Sequence, residues 1–306
     1  MPETQPLMWT AFTALIGLVL YIDLGILNKK AHVVSLKEAG AWCAAWAALA
    51  LLFCGWIWHR MGSTKALEFL TAYVIEYSLS VDNMFVFIII FEYFSVPRHL
   101  QPRVLHWGIL GAVFMRLILI FAGVKLLHAF HWIIYVFGGI LIVTGVKMLL
   151  QKDEKIEPDK NPVLKLFKRL VPFTSKGEGE SFFVKEDARW TATPLFATLL
   201  VVEASDLVFA VDSIPAVLAI SSDPLIVYTS NVFAILGLRS LFFLLSGVMG
   251  LFRFLKVGIS IVLCYVGVKM LLVDLYKIPI AASLGVVIGI LALSVAASVL
   301  IKEERA

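Results

Sequence analysis

The sequence predicts an all-α polytopic membrane protein of about nine transmembrane helices, six of them forming an inverted three-helix repeat. Three observations carry that class. Of the 306 residues 60% are hydrophobic and only 16% charged, with a mean hydropathy of +0.92, outside the usage of soluble globular chains. Apolar runs as long as a bilayer requires, about 20 residues, fill most of the chain. Two of these runs also carry acidic residues in matching patterns: IEYSLSVDNMFVF around Glu76 and Asp82, and VVEASDLVFAVDSIPA around Glu203, Asp206 and Asp212.

The apolar segments lie near 7–27, 39–58, 67–94, 106–126, 132–150, 194–220, 228–248, 255–273 and 278–301. The first has no basic residues ahead of it and no small-residue cleavage site, so it reads as a retained span rather than a signal peptide. The organisation that follows is two peripheral N-terminal helices (1–66), a first three-helix repeat (67–150), a cytoplasmic loop (151–192), a second repeat (193–275), and a final helix with its tail (276–306).

Basic residues orient the chain. Of the 26 Lys and Arg, 18 fall in the loops after segments one, three, five and seven and in the C-terminal tail. The opposite loops hold 4, and the remaining 4 are Arg116, Lys147, Arg239 and Lys269 within spans; Lys125 and Lys256, at segment edges, are counted to the adjoining loops. The positive-inside rule then places the N-terminus outside and the C-terminus in the cytoplasm. The same topology accounts for the net charge of +4, so nucleic-acid binding has no support. Cys43, Cys54 and Cys264 fall within apolar segments, where small buried hydrophobes are expected.

In the long loop, PVLKLFKRLV aligns Val163, Leu166, Phe167 and Leu170 on one helical face, which suits a short helix on an anionic leaflet. KGEGESFFVKEDARW reads as a turn followed by a small hairpin.

The repeat extends beyond the acids. GILGAVFMRLILIF with Arg116 resembles FAILGLRSLFFLL with Arg239, and TGVKMLLQ with Lys147 resembles VGVKMLLVD with Lys269. Arg to Lys spans 31 residues in one copy and 30 in the other. Three helices per copy invert the second relative to the first, as in many secondary transporters whose substrate sites lie where the repeats meet.

Carboxylates at membrane depth are costly and functional by default. Glu76 and Asp82, six residues apart, would point roughly 120° from one another on an ideal helix. Aiming both acids of a motif at one ion therefore predicts a break or bend in the third and sixth helices, near Ser78, Ser80 and Asn83 in one copy and Pro215 in the other. Glu203 and Asp206 share a face without any break. Arg116 and Arg239 are candidates to pair with Glu76 and Asp206 and hold the helices together. Lys147 and Lys269, near span ends, are expected to reach outward. Five central acids still exceed two central bases, and the surplus must be protonated or hold a cation.

The donors on hand are carboxylates, the amides of Asn83 and Asn231, and the hydroxyls of Ser205 or Ser213, with Ser80 a supporting polar residue. Such hard oxygen sets suit Mg, Ca or Mn ions rather than Cu, Zn or Ni. No histidine lies mid-span; His128 and His131 flank the outer end of segments four and five.

YVIEYSLSVDNMFVF, the FFV segment before ATPLF, EASDLVFAVDSIPA, TSNVFAILGLRS and GVKMLLVDLYKIPI together resemble the TerC family of bacterial membrane proteins, and within it the Alx-type members. The second motif has EASD where that family suggests ELSD, a change that leaves both acids in place. The resemblance implies a place in the LysE-like transporter superfamily, a bacterial inner-membrane location and manganese efflux, in a family grouped historically with tellurium resistance. It makes the motif acids Glu76, Asp82, Glu203, Asp206 and Asp212, with Asn83, the natural metal ligands. No permanently bound cofactor is expected; Mn2+ or another hard divalent cation would be substrate, protons a possible coupling partner and the lipid bilayer the surroundings. The chain reads as a non-enzyme: it has no CxxC, no mid-span His pair and no dinucleotide or nucleotide-binding loop. The competing functions are a membrane-protein assembly or interaction factor and a membrane-bound redox modulator.

Overall fold

The computed structural model describes residues 8–10, 12–17, 35–130, 132–150, 172, 181–186, 189–248, 254–276 and 278–300. The side chains of Asp82, His128 and Asp212 lie outside this description, as do His131 and the basic, apolar stretch around 163–170. The described chain is mostly helical. Its helices are α1 (Met8–Gly17), α2 (Leu36–Met61), α3 (Ser63–Tyr93), α4 (Gln101–Ala129), α5 (Ile133–Leu150), α6 (Pro194–Leu218), α7 (Pro224–Leu236), α8 (Leu238–Val248), α9 (Leu255–Leu271) and α10 (Ile280–Leu300). The anticipated hairpin is present before α6: β1 (Phe183–Glu186) pairs antiparallel with β2 (Arg189–Ala192).

Local chemistry sets the boundaries. Ser35 accepts from the Glu38 amide at 3.3 Å to start α2. A single residue, Gly62 at φ +90°, ends α2 and opens α3, a conformation that favours glycine. Thr193 and Asp223 cap α6 and α7 through their side-chain oxygens, each followed by a proline in the first turn.

Six described helices are long and apolar enough to cross a membrane, and α7 with α8 makes a seventh if that pair is one broken span. The predicted count of nine is thus met only in part: most of the first segment lies outside the described residues, and α9 has 17 residues. The predicted breaks are also displaced. α3 is assigned as one helix through Glu76, Ser80 and Asn83, and α6 continues past Pro215, which sits in the last turn and loses a single backbone bond. The break falls instead at Gly237, where α7 and α8 meet at 43°. There the Tyr77 ring packs so close that a Cβ on Gly237 would lie 3.2 Å from it.

Most buried apolar residues join one core shared by α3, α4, α6, α7, α8 and α9. A second cluster docks α1 and α2 onto α3 and α7 through aromatic rings, with Phe53 and Phe233 at 4.9 Å and Phe12 and Phe53 at 5.7 Å. Large apolar side chains such as Phe114, Ile118, Val143, Val146 and Leu293 point outward, while Arg116, Glu76 and Asn231 are buried. That arrangement suits a lipid surround.

Helix senses follow from which residues meet. A Cβ on Gly138 would lie 2.9 Å from the Gly267 carbonyl, one on Gly267 2.7 Å from the Gly138 carbonyl, and one on Gly145 2.7 Å from the Ser260 carbonyl. α5 and α9 therefore run antiparallel, their backbones brought together by missing side chains. α4 and α6 run in the same sense, since Gly108 meets Val202 while Gly123 meets Leu218. So do α3 and the α7–α8 pair: Glu68 bonds Ser221 ahead of α7, and Phe91 stacks edge-on to Phe242 at 5.2 Å. Of the two span-end lysines, Lys147 is exposed as expected, but Lys269 is half-buried and donates to Ser283 Oγ at 3.2 Å, tying α9 to α10.

Candidate functional site: a buried ion-pair core between four helices

Glu76, Ser80 and Asn83 recur at the i, i+4, i+7 spacing that lines one helix face, so uninterrupted α3 presents them as a single buried stripe. Asp206 and Ser213 form a similar pair on α6, seven residues apart, and Asn231 lies in the buried middle of α7. α4 supplies Arg116, the largest fully buried side chain among the described residues.

Arg116 joins all four helices. Its Nη1 pairs with Glu76 Oε1, while Nη2 and Nε donate to Asp206 Oδ1 and Oδ2 at 3.0 and 3.3 Å. Nη1 also faces Asn231 Oδ1 at 3.3 Å and Ser213 Oγ at 3.5 Å. The fork on Asp206 is the bidentate arrangement a planar guanidinium favours. Sequence reasoning assigned two arginines to these two acids; the structure gives both acids to Arg116, because the parallel packing of α4 on α6 brings Asp206 to the same guanidinium that meets α3. Arg239 is buried on α8.

The cluster is not closed by its internal bonds. With both acids ionised, two carboxylates face one guanidinium. Glu76 Oε2, Ser80 Oγ and Asn231 Nδ2 are buried without a hydrogen-bond partner, as is Glu203 Oε2. A buried polar atom left unpaired costs about 1–3 kcal/mol, so each of these marks a place where a further group belongs.

Glu203 stands apart from the Arg116 bonds. It lies one turn before Asp206 on α6 and packs so tightly on α4 that a Cβ at Gly111 would fall inside its carboxylate. Glu203 and Asp206 line one small cavity with apolar walls. Ser205, proposed beside them, donates its hydroxyl to the Val201 carbonyl at 2.8 Å on its own helix. Among the described residues no three His, Cys, Asp or Glu side chains group closely enough to hold a metal ion by themselves. Amide and hydroxyl oxygens, or the acids at 82 and 212, would have to complete a ligand set.

A buried acid that sequence reasoning passed over is Glu68, two turns before Glu76 on the same helix. Ser221 donates to it at 2.5 Å and Lys65 at 2.8 Å, with Asp223 3.6 Å from the same ammonium. Its signal was the i, i+8 spacing from Glu76, masked by its place at the end of the span. Beyond the opposite end of the polar stripe, an open cavity of about 710 Å³ is lined by Glu92, Ser95, Arg98, Gln101 and Ser246, with Phe91 and Phe242 among its walls.

Long apolar helices, outward apolar faces and a buried ionic core define a multi-pass integral membrane protein. The profile of the integral membrane protein TerC family matches residues 61–306. The chain belongs to that family. It is 50% identical over 302 residues to an uncharacterized membrane protein of Myxococcus xanthus, covering 99% of this chain and 94% of that one. It is 46% identical over 309 residues to a protein of Salmonella typhi named as a proposed membrane-bound redox modulator, Alx, covering 98% and 96%. A protein of the same name from Escherichia coli K12 is 46% identical over 298 residues, covering 94% and 93%. No solved structure matches.

Proposed function

We propose that this protein exports a hard divalent cation, with Mn2+ as its substrate, across the bacterial inner membrane by alternating access coupled to protons. One observation carries the reading: the carboxylates of Glu76 and Asp206 share a single buried guanidinium, while Glu76 Oε2 and Ser80 Oγ stay buried without a hydrogen-bond partner. Surplus acceptors at membrane depth call for a cation, and a set of carboxylate, amide and hydroxyl oxygens suits Mn2+, Mg2+ or Ca2+. Glu76, Asp206, Asn83 and Ser80, with Asp82 and Asp212 of the same motifs, are the proposed ligands; Asn231, Ser213 and Arg116 position them. Metal binding requires ionised carboxylates, so exchange against protons follows from the ligand chemistry. The protein is proposed to act as a carrier and not as an enzyme.

The proposed frame is nine spans with the N-terminus outside and two inverted repeats, α3–α5 and α6–α9. Its support is reciprocal packing. Matching GVKMLL at 145 with GVKMLL at 267 sets Gly138 against position 260, and the close approach of Gly138 to Gly267 then has its counterpart in Gly145 and Ser260. The packing of α4 on α6 is likewise mirrored by α7–α8 on α3, and repeats related in this way place a substrate site between them.

Flux in proteoliposomes tests the reading. Outcomes that support it are Mn2+ movement exceeding Mg2+ and Ca2+, its loss in Asp82→Asn and Asp212→Asn, and slowing when the pH gradient is collapsed. Well-folded protein that moves no metal would sink it. The relatives' name favours redox modulation as a second reading; metal flux that persists after Cys43, Cys54 and Cys264 are all changed to Ser would count against thiol chemistry in the transport step.

A further inference from the structure

We propose that Arg116 is a tethered counter-cation: without metal its guanidinium holds the Glu76–Asp206 pair in the substrate's place, and on metal binding it moves to Glu203. The inference rests on the divalent-cation reading and adds to it a residue that competes with the substrate from within the chain.

Position is the first argument. A metal bridging the two acids can reach Glu76 through its unpaired Oε2, but both carboxylate oxygens of Asp206 already accept from Arg116, whose Nη1 also pairs with Glu76 Oε1 between them. A guanidinium and a divalent cation cannot both sit between the same two side chains, so binding the second displaces the first. Desolvated arginine at membrane depth cannot be left without a partner. A proximate acid must receive it.

Glu203 meets that requirement. Its Oε2 is buried and accepts no hydrogen bond. It stands three residues before Asp206, roughly 4.5 Å along the α6 axis. Helical side chains lean toward the N-terminus of their helix, and α4 and α6 run in the same sense, so Glu203 lies farther along the direction in which Arg116 already leans. Gly108, Ala112 and Arg116 recur every four residues on α4, forming one stripe. Gly108 and Ala112 are too small to fill the space beside them and line a cavity of about 10 Å³ shared with Glu203 and Asp206, room for about one water. The slack in packing thus lies beside Asp206 and Glu203, on the α4 stripe that carries Arg116.

This assigns Glu203 a role other than ligand. It serves the metal indirectly, by accepting the arginine that the metal expels. Both states then keep a cation against the central pair, which lets the loaded and the empty carrier cross between conformations without an exposed pair of buried anions.

Equilibrium Mn2+ binding to the purified full chain in nanodiscs, together with flux in proteoliposomes, tests the proposal in wild type, Arg116→Gln, Arg116→Lys, Glu203→Gln and the Arg116→Gln/Glu203→Gln double variant. Removing the competitor should tighten binding in Arg116→Gln by about 10-fold or more while flux falls, a split that a merely structural arginine would not produce. Arg116→Lys keeps the charge without the fork; it should bind metal more tightly than wild type by a smaller factor, and it carries the test if the glutamine variant fails to fold. Glu203→Gln should weaken binding several-fold in the wild-type background and leave it unchanged beside Arg116→Gln. Equal weakening in both backgrounds would make Glu203 a direct ligand and overturn its role as acceptor. Wild type that binds and moves Mn2+ while neither Arg116 variant binds it more tightly would overturn the counter-cation and leave the transport reading standing. Wild type that binds no divalent ion would remove both.

Discussion

Gly138 and Gly267 lie against one another so closely that each backbone carbonyl occupies the space where the other residue's side chain would begin. Both positions are needed for α5 and α9 to touch there, since the nearest atom in each case is a backbone carbonyl, which cannot yield as a side-chain end can. Gly138→Leu should therefore part the two helices and lower stability by about 1–3 kcal/mol, the usual range for an overfilled contact. Gly139→Leu, one residue on and with nothing within 4 Å of its would-be Cβ, should leave the melting temperature near wild type. A thermal melt of the purified variants in detergent decides it: equal melting temperatures would mean that the helices do not approach as described.

The membrane class, the positions of the segments from 39 onward and the burial of Glu76 and Asp206 were legible in the sequence because they depend on hydropathy and on charges that a bilayer does not tolerate by accident. Arg116 and Glu76 stood out on that ground alone. Which acids share which base was not legible. Two acids and two arginines allow several pairings, and the choice of Arg116 for both depends on α4 lying beside α6, a tertiary fact. The break was misplaced for a related reason. Proline at 215 signals a break, but in a helix's last turn it removes little, whereas Gly237 carries no such signal until the Tyr77 ring is seen against it. Nor was the orientation of Ser205 legible, since a hydroxyl can turn back to its own helix, as this one does.

Arg116→Ala should be among the most damaging single changes in the protein. It leaves Glu76 and Asp206 buried without their shared cation, and breaking a buried pair by removing one partner costs about 3–5 kcal/mol. Glu76→Gln should cost less, since Asp206 still holds the guanidinium through two bonds. A cation that binds the native state restores stability by mass action. Mn2+ should accordingly raise the melting temperature of Arg116→Ala more than that of wild type; an equal or smaller rise would show that metal does not reach the two acids.

At the Glu68 end the polar cluster divides into a part that matters and a part that does not. Ser221 donates to the Glu68 carboxylate in a buried setting, so Ser221→Ala should lower stability by about 1.5–3 kcal/mol, the range for a hydrogen bond to a charged group. Lys65 is a third exposed, and its ion pairs with Glu68 and Asp223 are worth at most about 1 kcal/mol, so Lys65→Met should fall within that smaller range. Denaturation of the two variants side by side reads the difference. A lysine change more costly than the serine change would place the main tie at the ammonium instead.

The proposed orientation makes opposite demands on two exposed turns. His99 lies in the turn between α3 and α4, and Ser222 in the turn between α6 and α7. With the N-terminus outside and nine spans, the first faces the cytoplasm and the second the exterior. In a background free of the three native cysteines, Ser222→Cys should react with a membrane-impermeant maleimide in intact cells, and His99→Cys only after the membrane is opened. Reversal of the two would turn the whole chain over and make the cavity near Glu92 an outer vestibule. Labelling of both in intact cells would break the alternation that an inverted repeat requires, because α3 and α6 must cross the bilayer in opposite senses for their acids to meet at one guanidinium from opposing repeats.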